Sequence, residues 1–417
     1  MPKQLRTVKV RVYPTPEQRK LLAQTFGCCR LVYNLALEQR STYGRRGRRI
    51  SFVSWSAELK SLKVEADFLR DVPHHCLVQA LKDLDSAYAR FFSGQNAYPK
   101  PRRKFDNQSC RFPDPLQFTI NRQDIVLPKL GSLKMIAHRP IQGHPRQITI
   151  VREGDHYYAA ILTKVRTRAP EERERSEGGY DVGIKQPVVE SDGTVHAMPL
   201  MTVQEQRRKA RLHRSLSRKQ KNSKNRTKAR RALARFEARI ARRRRDAAHQ
   251  ISHRLTKKYT HLACENLRLK NMTASASGTV EEPGRNVALK AGLNRALLDV
   301  APGQLRRMVA YKAAWRGGIL VAVDPARSSQ ECSECGHVAA ENRPTRDLFQ
   351  CVACGFTADA DVNAARVIRA RGRQQWSAPQ DTTAPGPGVA ACPALCSKTR
   401  RRSRKKDPGR HGLPQAA

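Results

Sequence analysis

Four cysteines constrain this chain more than any other feature. Cys332 and Cys335 form one CxxC pair, and Cys351 and Cys354 form a second after fifteen intervening residues. Each pair offers two thiolates from one tight turn, and two such knuckles complete a tetrahedral, all-sulfur shell: the spacing of a zinc ribbon. Gly336 and Gly355 each follow the second cysteine of a pair, where a knuckle turn readily uses positive φ. Free buried thiols or a redox pair are weaker readings, because four cysteines seldom fall at this spacing without a metal. Four thiolates close the zinc shell and leave no open position for substrate, so the Zn²⁺ is expected to be structural. Directly after the second knuckle comes Asp359-Ala360-Asp361-Val362-Asn363-Ala364-Ala365, which sets a carboxylate at the mouth of a helix beside the ribbon.

Charge identifies the kind of partner. The 417 residues carry 80 Lys and Arg against 36 Asp and Glu, a formal net charge of +44. Such a field repels itself, and a polyanion is its natural complement, since phosphate neutralisation releases counterions. An anionic membrane is the rival, but no apolar run reaches eighteen residues and no lipidation motif is present. The N-terminal stretch alternates apolar and basic residues and has no signal-peptide h-region. Eleven cysteines, an odd number with four assigned to metal, point to a reducing interior. The expectation is an intracellular nucleic-acid protein, long enough for several domains.

Taken in order, residues 6–13 alternate with Val8, Val10 and Val12 on one face and read as a half-buried strand. Pro14 stops it. Thr15, Pro16 and Gln18 then form a helix start with a capping box. Leu22, Phe26, Cys29 and Tyr33 make one helical stripe, Trp55, Leu59 and Leu62 a second, and Leu77, Leu81, Leu84, Tyr88 and Phe91 a third. A basic loop, Pro99 to Lys104, follows. Residues 108–165 return to β patterning, with a hairpin turning at Glu153-Gly154-Asp155. A strand, a helical insertion and further strands describe a small barrel interrupted by a helical bundle. Thr167–Glu177 reads as a linker.

A second pattern begins at Gly178. Tyr180–Ile184 reads as a strand, Val188–Ser191 as another, and Thr194–Met198 as its return after the Asp192-Gly193 turn. Residues 203–258 read as one long basic helix, with a possible break near Asn222–Asn225. Between Arg207 and Lys258 there are 22 Lys or Arg and two acids, Glu237 and Asp246. A solvated helix face normally mixes signs, so this one favours phosphate contact. Residues 259–264 form a strand that delivers Glu265, a helix spans roughly Ala288 to Arg316, and Gly318–Val323 is a buried strand. Beyond about Arg373 the chain turns rich in Pro, Ala and Gly and then basic, and reads as disordered. Cys392 and Cys396 in that tail are not expected to form a second metal site.

Three carboxylates stand out by arrangement. Singly, Asp181 fits a turn cap, Glu265 an arginine partner and Asp361 a helix cap. Together they sit on a first strand, at the end of a fourth and on a late helix, which is how an RNase H-like fold gathers a metal site. Hard carboxylates in a basic setting suit Mg²⁺ or Mn²⁺, one ion polarising the attacking water and another stabilising the leaving oxygen.

The chain resembles the TnpB family of insertion-sequence-encoded, RNA-guided nucleases related to type V CRISPR effectors. The resemblance rests on Tyr13-Pro-Thr-Pro-Glu-Gln18, Gly179-Tyr-Asp181-Val-Gly183-Ile-Lys185, Cys264-Glu265-Asn-Leu267 with Lys270-Asn271-Met272, and Ser328-Ser329-Gln330-Glu331-Cys332. The second knuckle and Asp361-Val-Asn363-Ala364-Ala365 complete it. These motifs keep family order from about residue 6 to residue 370. The resemblance implies that Asp181, Glu265 and Asp361 are the catalytic, Mg²⁺-binding acids of a RuvC nuclease, with Asp361 favoured over Asp359 by the D-x-N-A-A register.

The resemblance also implies an α/β multi-domain architecture. Residues 1–14 and 105–175 correspond to a wedge-like β-barrel and 15–104 to an inserted helical recognition lobe. Residues 176–325 and 356–372 correspond to the RNase H-like nuclease, 326–355 to the zinc ribbon, and 373–417 to a disordered basic tail. The implied partners are a guide RNA from the transposon's end and a double-stranded DNA target beside a short adjacent motif, with no membrane, in a prokaryotic cytoplasm and on its nucleoid. Gln79, Lys82 and Tyr98 fall where recognition-lobe contacts are found, although the helical pattern makes them ordinary surface residues. Pro187 departs from the family pattern, and the tail carries no family motif. An RNA-guided binder that does not cut, and a strand-transferring transposase, are the alternatives. The presence of all three acids argues against the first. The second uses the same metal chemistry, and no tyrosine- or serine-recombinase motif is seen.

Overall fold

A computed structural model of the chain describes residues 3–44, 50–104, 106, 108–166, 174–279 and 281–376. The N-terminal half is built on β1 (Lys3–Tyr13), whose Val10 and Val12 are buried and whose Val8 packs against the same core. Thr15 caps α1 (Pro16–Tyr43) through a capping box with Gln18, and Leu22, Phe26, Cys29 and Tyr33 are all buried along it. Two more helices, α2 (Phe52–Glu65) and α3 (His74–Phe92), follow before the chain returns to strands. These are β2 (Gln108–Phe112), β3 (Thr119–Ile120), β4 (Asp124–Leu127), β5 (Gly131–Ile136), β6 (His144–Glu153) and β7 (His156–Arg166). They form one antiparallel sheet in the order β2-β6-β7-β1-β5-β4-β3. Among the described residues no ladder joins β2 to β3, so the sheet is curled, with two edges. Strands and helices share a single core: Val12, Leu22, Leu77, Ile125 and Ile161 belong to the same buried cluster.

The second half is organised around β8 (Glu177–Asp181), β9 (Val188–Glu190), β10 (Val195–His196), β11 (His261–Glu265) and β12 (Ile319–Val323). Their order is β10-β9-β8-β11-β12, with β8, β11 and β12 parallel and the β8-β9-β10 edge antiparallel. Parallel pairing places the C-terminal ends of β8 and β11, hence Asp181 and Glu265, at the same edge of the sheet.

Helices cover both faces. The basic segment breaks near Asn222, within the stretch marked for a break in the sequence, into α4 (Val203–Ser217) and α5 (Lys224–Lys258). They fold back on each other through Glu205, which takes Arg239 and Arg243, and Glu237, which takes Lys209. Asn222, at φ 66°, and the Ser223 cap enforce the reversal. A short α6 (Leu269–Met272) leads to a correction. The helix expected from Ala288 to Arg316 divides into α7 (Val287–Val300) and α8 (Pro302–Trp315), because Pro302 cannot continue a helix and Ala301 takes φ 57° to turn it. Helices α5 and α8 pack Leu255, Leu305 and Val309 onto Tyr180, Val188 and Leu262.

After the small hairpin β13 (Leu348–Gln350) and β14 (Thr357–Asp359), α9 (Ala360–Trp376) lies across the sheet. Gly179 permits that contact: a Cβ there would stand 2.3 Å from the Ala365 carbonyl oxygen and 2.6 Å from the Arg369 nitrogen. The tail does not begin at residue 373, since α9 continues to Trp376, which is buried with Ala263, Val323 and Ile368. The rest of the expected tail, with Cys392 and Cys396, and most of the expected linker lie outside the described residues. Glu177, at that linker's end, is already in β8. None of the described helices is long and apolar enough to cross a membrane.

Candidate functional site

The three acids converge from three elements. Asp181 ends β8, Glu265 ends β11, and Asp361 stands in the first turn of α9. Each is partly buried. Gly183 permits the tight turn after β8, since a Cβ there would lie 2.8 Å from the Gln186 carbonyl oxygen. The backbone N–H of Val182 donates to Asp181 Oδ1 at 2.7 Å. Ser328 donates its hydroxyl to Glu265 Oε1 at 2.5 Å. Arg343, from the loop between the two knuckles, approaches Asp361 Oδ1 at 3.8 Å.

Electrostatics marks the same three groups. Burial, and then the charge of Glu265, push Asp181 up to about 7. The Val182 N–H opposes the rise, Asp361 adds to it, and Arg343 opposes it. Glu265 is raised by burial, against the Ser328 hydrogen bond and the charge of Arg371. Asp361 is raised by burial and by the neighbouring Asp359, with Arg343 and Arg346 opposing. Desolvated like charges held together in this way are expensive unless a cation shares them.

Asp359 has a different job. Its Oδ1 accepts the backbone N–H groups of Asp361, at 2.9 Å, and Val362, at 3.1 Å, so it caps α9 and spares Asp361 that role.

The four cysteine sulfurs lie within 4.8 Å of one another. Cys332 and Cys354 are 3.8 Å apart and Cys335 and Cys351 3.6 Å. A tetrahedral ion with bonds of about 2.3 Å separates its sulfurs by about 3.8 Å, so the donor set fits zinc. The knuckles match: Gly336 and Gly355 both take φ 74°, and their N–H groups donate to the carbonyls of Cys332 and Cys351. Among the described residues, these sulfurs are the one group of three or more possible ligands so close together, and the three carboxylates are spread wider.

Two buried asparagines tie this centre to the carboxylates. Asn342 donates to the carbonyls of Gln330 and His337 and accepts from Val352 N–H, bridging one knuckle to the other. Asn363, two residues after Asp361, accepts from Ser333 N–H at 3.0 Å and donates to the Glu331 carbonyl at 2.8 Å. Both are fully buried. Ser328, Arg343 and Asn342 were assigned no role from sequence. Ser328 and Arg343 sit in irregular loops whose residues follow no period, and the Asn342-Arg343 step inside the fifteen-residue spacer is a signal only once its neighbours in space are known. Gln79 is buried and faces Arg111, so it is not the surface residue the helical pattern implied, whereas Lys82 and Tyr98 are exposed, Tyr98 in the loop after α3 with its hydroxyl on that of Tyr88.

Three family models match the chain: a helix-turn-helix domain of the OrfB/IS605 group over residues 1–48, an OrfB/IS605 probable transposase over 160–276, and a Cas12f1-like TNB domain over 303–368. InsQ of Escherichia coli (strain K12), whose name describes an RNA-guided DNA endonuclease, is 38% identical over 375 residues, covering 89% of this chain and 93% of its own. A protein of Streptomyces pristinaespiralis with the same description is 35% identical over 98% of each chain. The Cas12f1 endodeoxyribonuclease of Sulfoacidibacillus thermotolerans is 45% identical over 64 residues, 15% of each. In fold, the chain is similar to Cas12f1 as seen in a complex with guide RNA and target DNA, at TM-score 0.50 and 12% identity, over 88% of this chain and 99% of that one. These likenesses define a class, the compact RNA-guided nucleases. Within it, this chain belongs to the TnpB family.

Proposed function

We propose that this chain is a transposon-encoded, RNA-guided DNA endonuclease that hydrolyses DNA phosphodiesters at one site built from Asp181, Glu265 and Asp361. The convergence of these acids from β8, β11 and α9 carries the reading. The strand order β10-β9-β8-β11-β12, antiparallel at one edge and parallel through the centre, supports an RNase H-like reading of this sheet. The three carboxylates are hard oxygen donors, set wider than a single closed shell, and would hold two Mg²⁺ or Mn²⁺ ions. When bound, the ions supply the Lewis acidity that activates water and stabilises the leaving oxygen.

The chain's own residues do the rest. Val182 N–H orients Asp181, Ser328 orients Glu265, and the Asp359 cap leaves both Asp361 oxygens available. Arg343 brings a fixed positive charge to the side of the site where a phosphate would lie. The cysteines would hold one Zn²⁺ as a structural clasp. The guide RNA, transcribed from the transposon's end, would read sequence by pairing, while the protein grips phosphates and reads a short adjacent motif. The α4–α5 hairpin suits the gripping role. Arg211, Arg214, Arg218 and Lys219 line a cleft with no acid among its lining residues.

The test is to co-express the chain with its flanking DNA, sequence the RNA that co-purifies, and offer a guide-matched plasmid with randomised flanks. A discrete RNA, and Mg²⁺-dependent linearisation beside one short motif that is lost with EDTA and in Asp181→Ala, is the expected result. Guided binding without cutting, or no discrete RNA, would overturn the proposal.

A further inference from the structure

Helix α3 ends in a cluster of rings that runs from the core to the surface. Tyr88 is buried, and Phe92 stacks on it with centroids 6.1 Å apart and planes at 21°. Phe91 meets Phe92 at 5.3 Å and Tyr98 at 5.2 Å, and Tyr98 meets Tyr88 edge-on at 5.6 Å. The loop after α3 turns back to make this possible, with the N–H groups of Gln95 and Asn96 both donating to the Arg90 carbonyl and the Tyr98 hydroxyl 3.0 Å from that of Tyr88. The cluster is therefore built and held, yet its outermost ring, Phe92, is 70% exposed. A lone exposed phenylalanine means little. One stacked on a buried ring, which the folded loop holds through Tyr98, presents an apolar face to solvent.

Its surroundings are cationic. Arg40 stands 4.1 Å from the Tyr88 ring and 5.7 Å from Phe92. Arg90, Lys100, Arg103 and Lys104 on the same helix end and loop are exposed. The two acids of this helix, Asp83 and Asp85, are taken by Arg102 and Arg111 and by Arg40. Exposed cations outnumber the nearby acids, Asp85 and Asp106, which suits a base, a π face with phosphates on either side.

We propose that Phe92 is a stacking platform for the open face of a base at the end of a nucleic-acid stack, with Tyr88 and Arg40 behind it and the basic loop at residues 100–104 receiving the adjoining phosphates. The ligand is the terminal base, whether it belongs to an RNA–DNA hybrid, a DNA duplex or a single strand. The inference rests on the nucleic-acid binding proposed above, and its test is read separately from cutting.

Three oligonucleotide probes carry 2-aminopurine at one end: a 20-base-pair RNA–DNA hybrid, a DNA duplex of equal length, and a single strand. Each is titrated with the full-length protein at several salt concentrations. At least one probe should show its emission quenched on binding by the parent protein, and which one identifies the source. Phe92→Ala should abolish that quenching and weaken the probe's binding by about 5- to 150-fold, the worth of one stacked base, with the slope of log K against log salt unchanged. Phe92→Trp should keep both, and Phe92→Leu should keep neither. Because Phe92 is exposed, the alanine variant should melt with the parent, and a variant that does not is replaced by Phe92→Leu for the same readings. No quenching with any probe, full recovery by leucine, a changed salt slope, or a change in sedimentation with Phe92→Ala would each overturn the proposal. The last would make this face a contact between copies. If none of the probes binds at all, the nucleic-acid reading fails with it, an outcome distinct from binding without quenching.

Discussion

Asp359 and Asp361 are two residues apart and chemically identical, and their surroundings alone separate them. Asp359 spends its oxygen on two backbone N–H groups, whereas Asp361 turns toward Asp181 and Arg343. Asp359→Ala should therefore lower stability by about 1 kcal/mol and leave cutting within a few-fold of the parent. Asp361→Ala should do the reverse, melting normally and losing cutting by orders of magnitude; thermal melts and plasmid cleavage on the two variants decide it. Asp181 allows a test by pH. Its raised pKa of about 7 means that the metal-free folded chain keeps a proton which the unfolded chain, titrating near 3.9, has released. This contribution is at its best below about pH 4 and is lost as pH climbs toward 7. In chelator, Asp181→Asn should match the parent's melting point near pH 4.5 and exceed it at pH 7.5. An equal gap at both pH values would show that burial is not what holds the proton.

Among the elements, α9 and the cysteine loop behave as one part. Asn363 fills both backbone vacancies of the first knuckle from inside the helix that carries Asp361. Asn363→Ala would leave the part-buried Ser333 N–H and Glu331 carbonyl without this partner, at a cost of roughly 1–3 kcal/mol. Chemical denaturation should show that loss, and cutting should fall with it because Asp361 rides on the same turn; an undisturbed melt would mean that the knuckle holds itself. Much of this level was legible in advance. Strong periods located β1, α1, α3 and the β6–β7 hairpin, and a strict spacing brought the four cysteines together. Where legibility failed, a single backbone residue decided the outcome. Ala301 adopts a left-handed turn ahead of Pro302 and divides a segment that reads as one helix, whereas the break at Asn222 fell where the asparagines marked it. Ser328 and Arg343 were invisible for another reason: their partners are 63 and 18 residues distant along the chain.

At the scale of the whole molecule, the net charge of +44 is unevenly used. Along α4 and α5, Arg239, Arg243 and Lys209 are neutralised by Glu205 and Glu237, while the cleft at the end of α4 keeps its four cations together. Replacing Arg211, Arg214, Arg218 and Lys219 by Gln should weaken RNA binding and flatten its salt dependence by up to about 0.7 per lost single-strand phosphate contact. A parallel drop at every salt concentration would assign those residues a structural role instead. The order of the strands also sets a timetable. The first strand made, β1, lies between β5 and β7 and must wait for both. In the second sheet β8 and β11 have their acids in place long before α9 is synthesised, yet α9 supplies both the cover for that sheet and the third carboxylate. On the proposed reading of the three acids, a chain emerging from the ribosome thus holds two of its three cutting residues and no working site until α9 arrives.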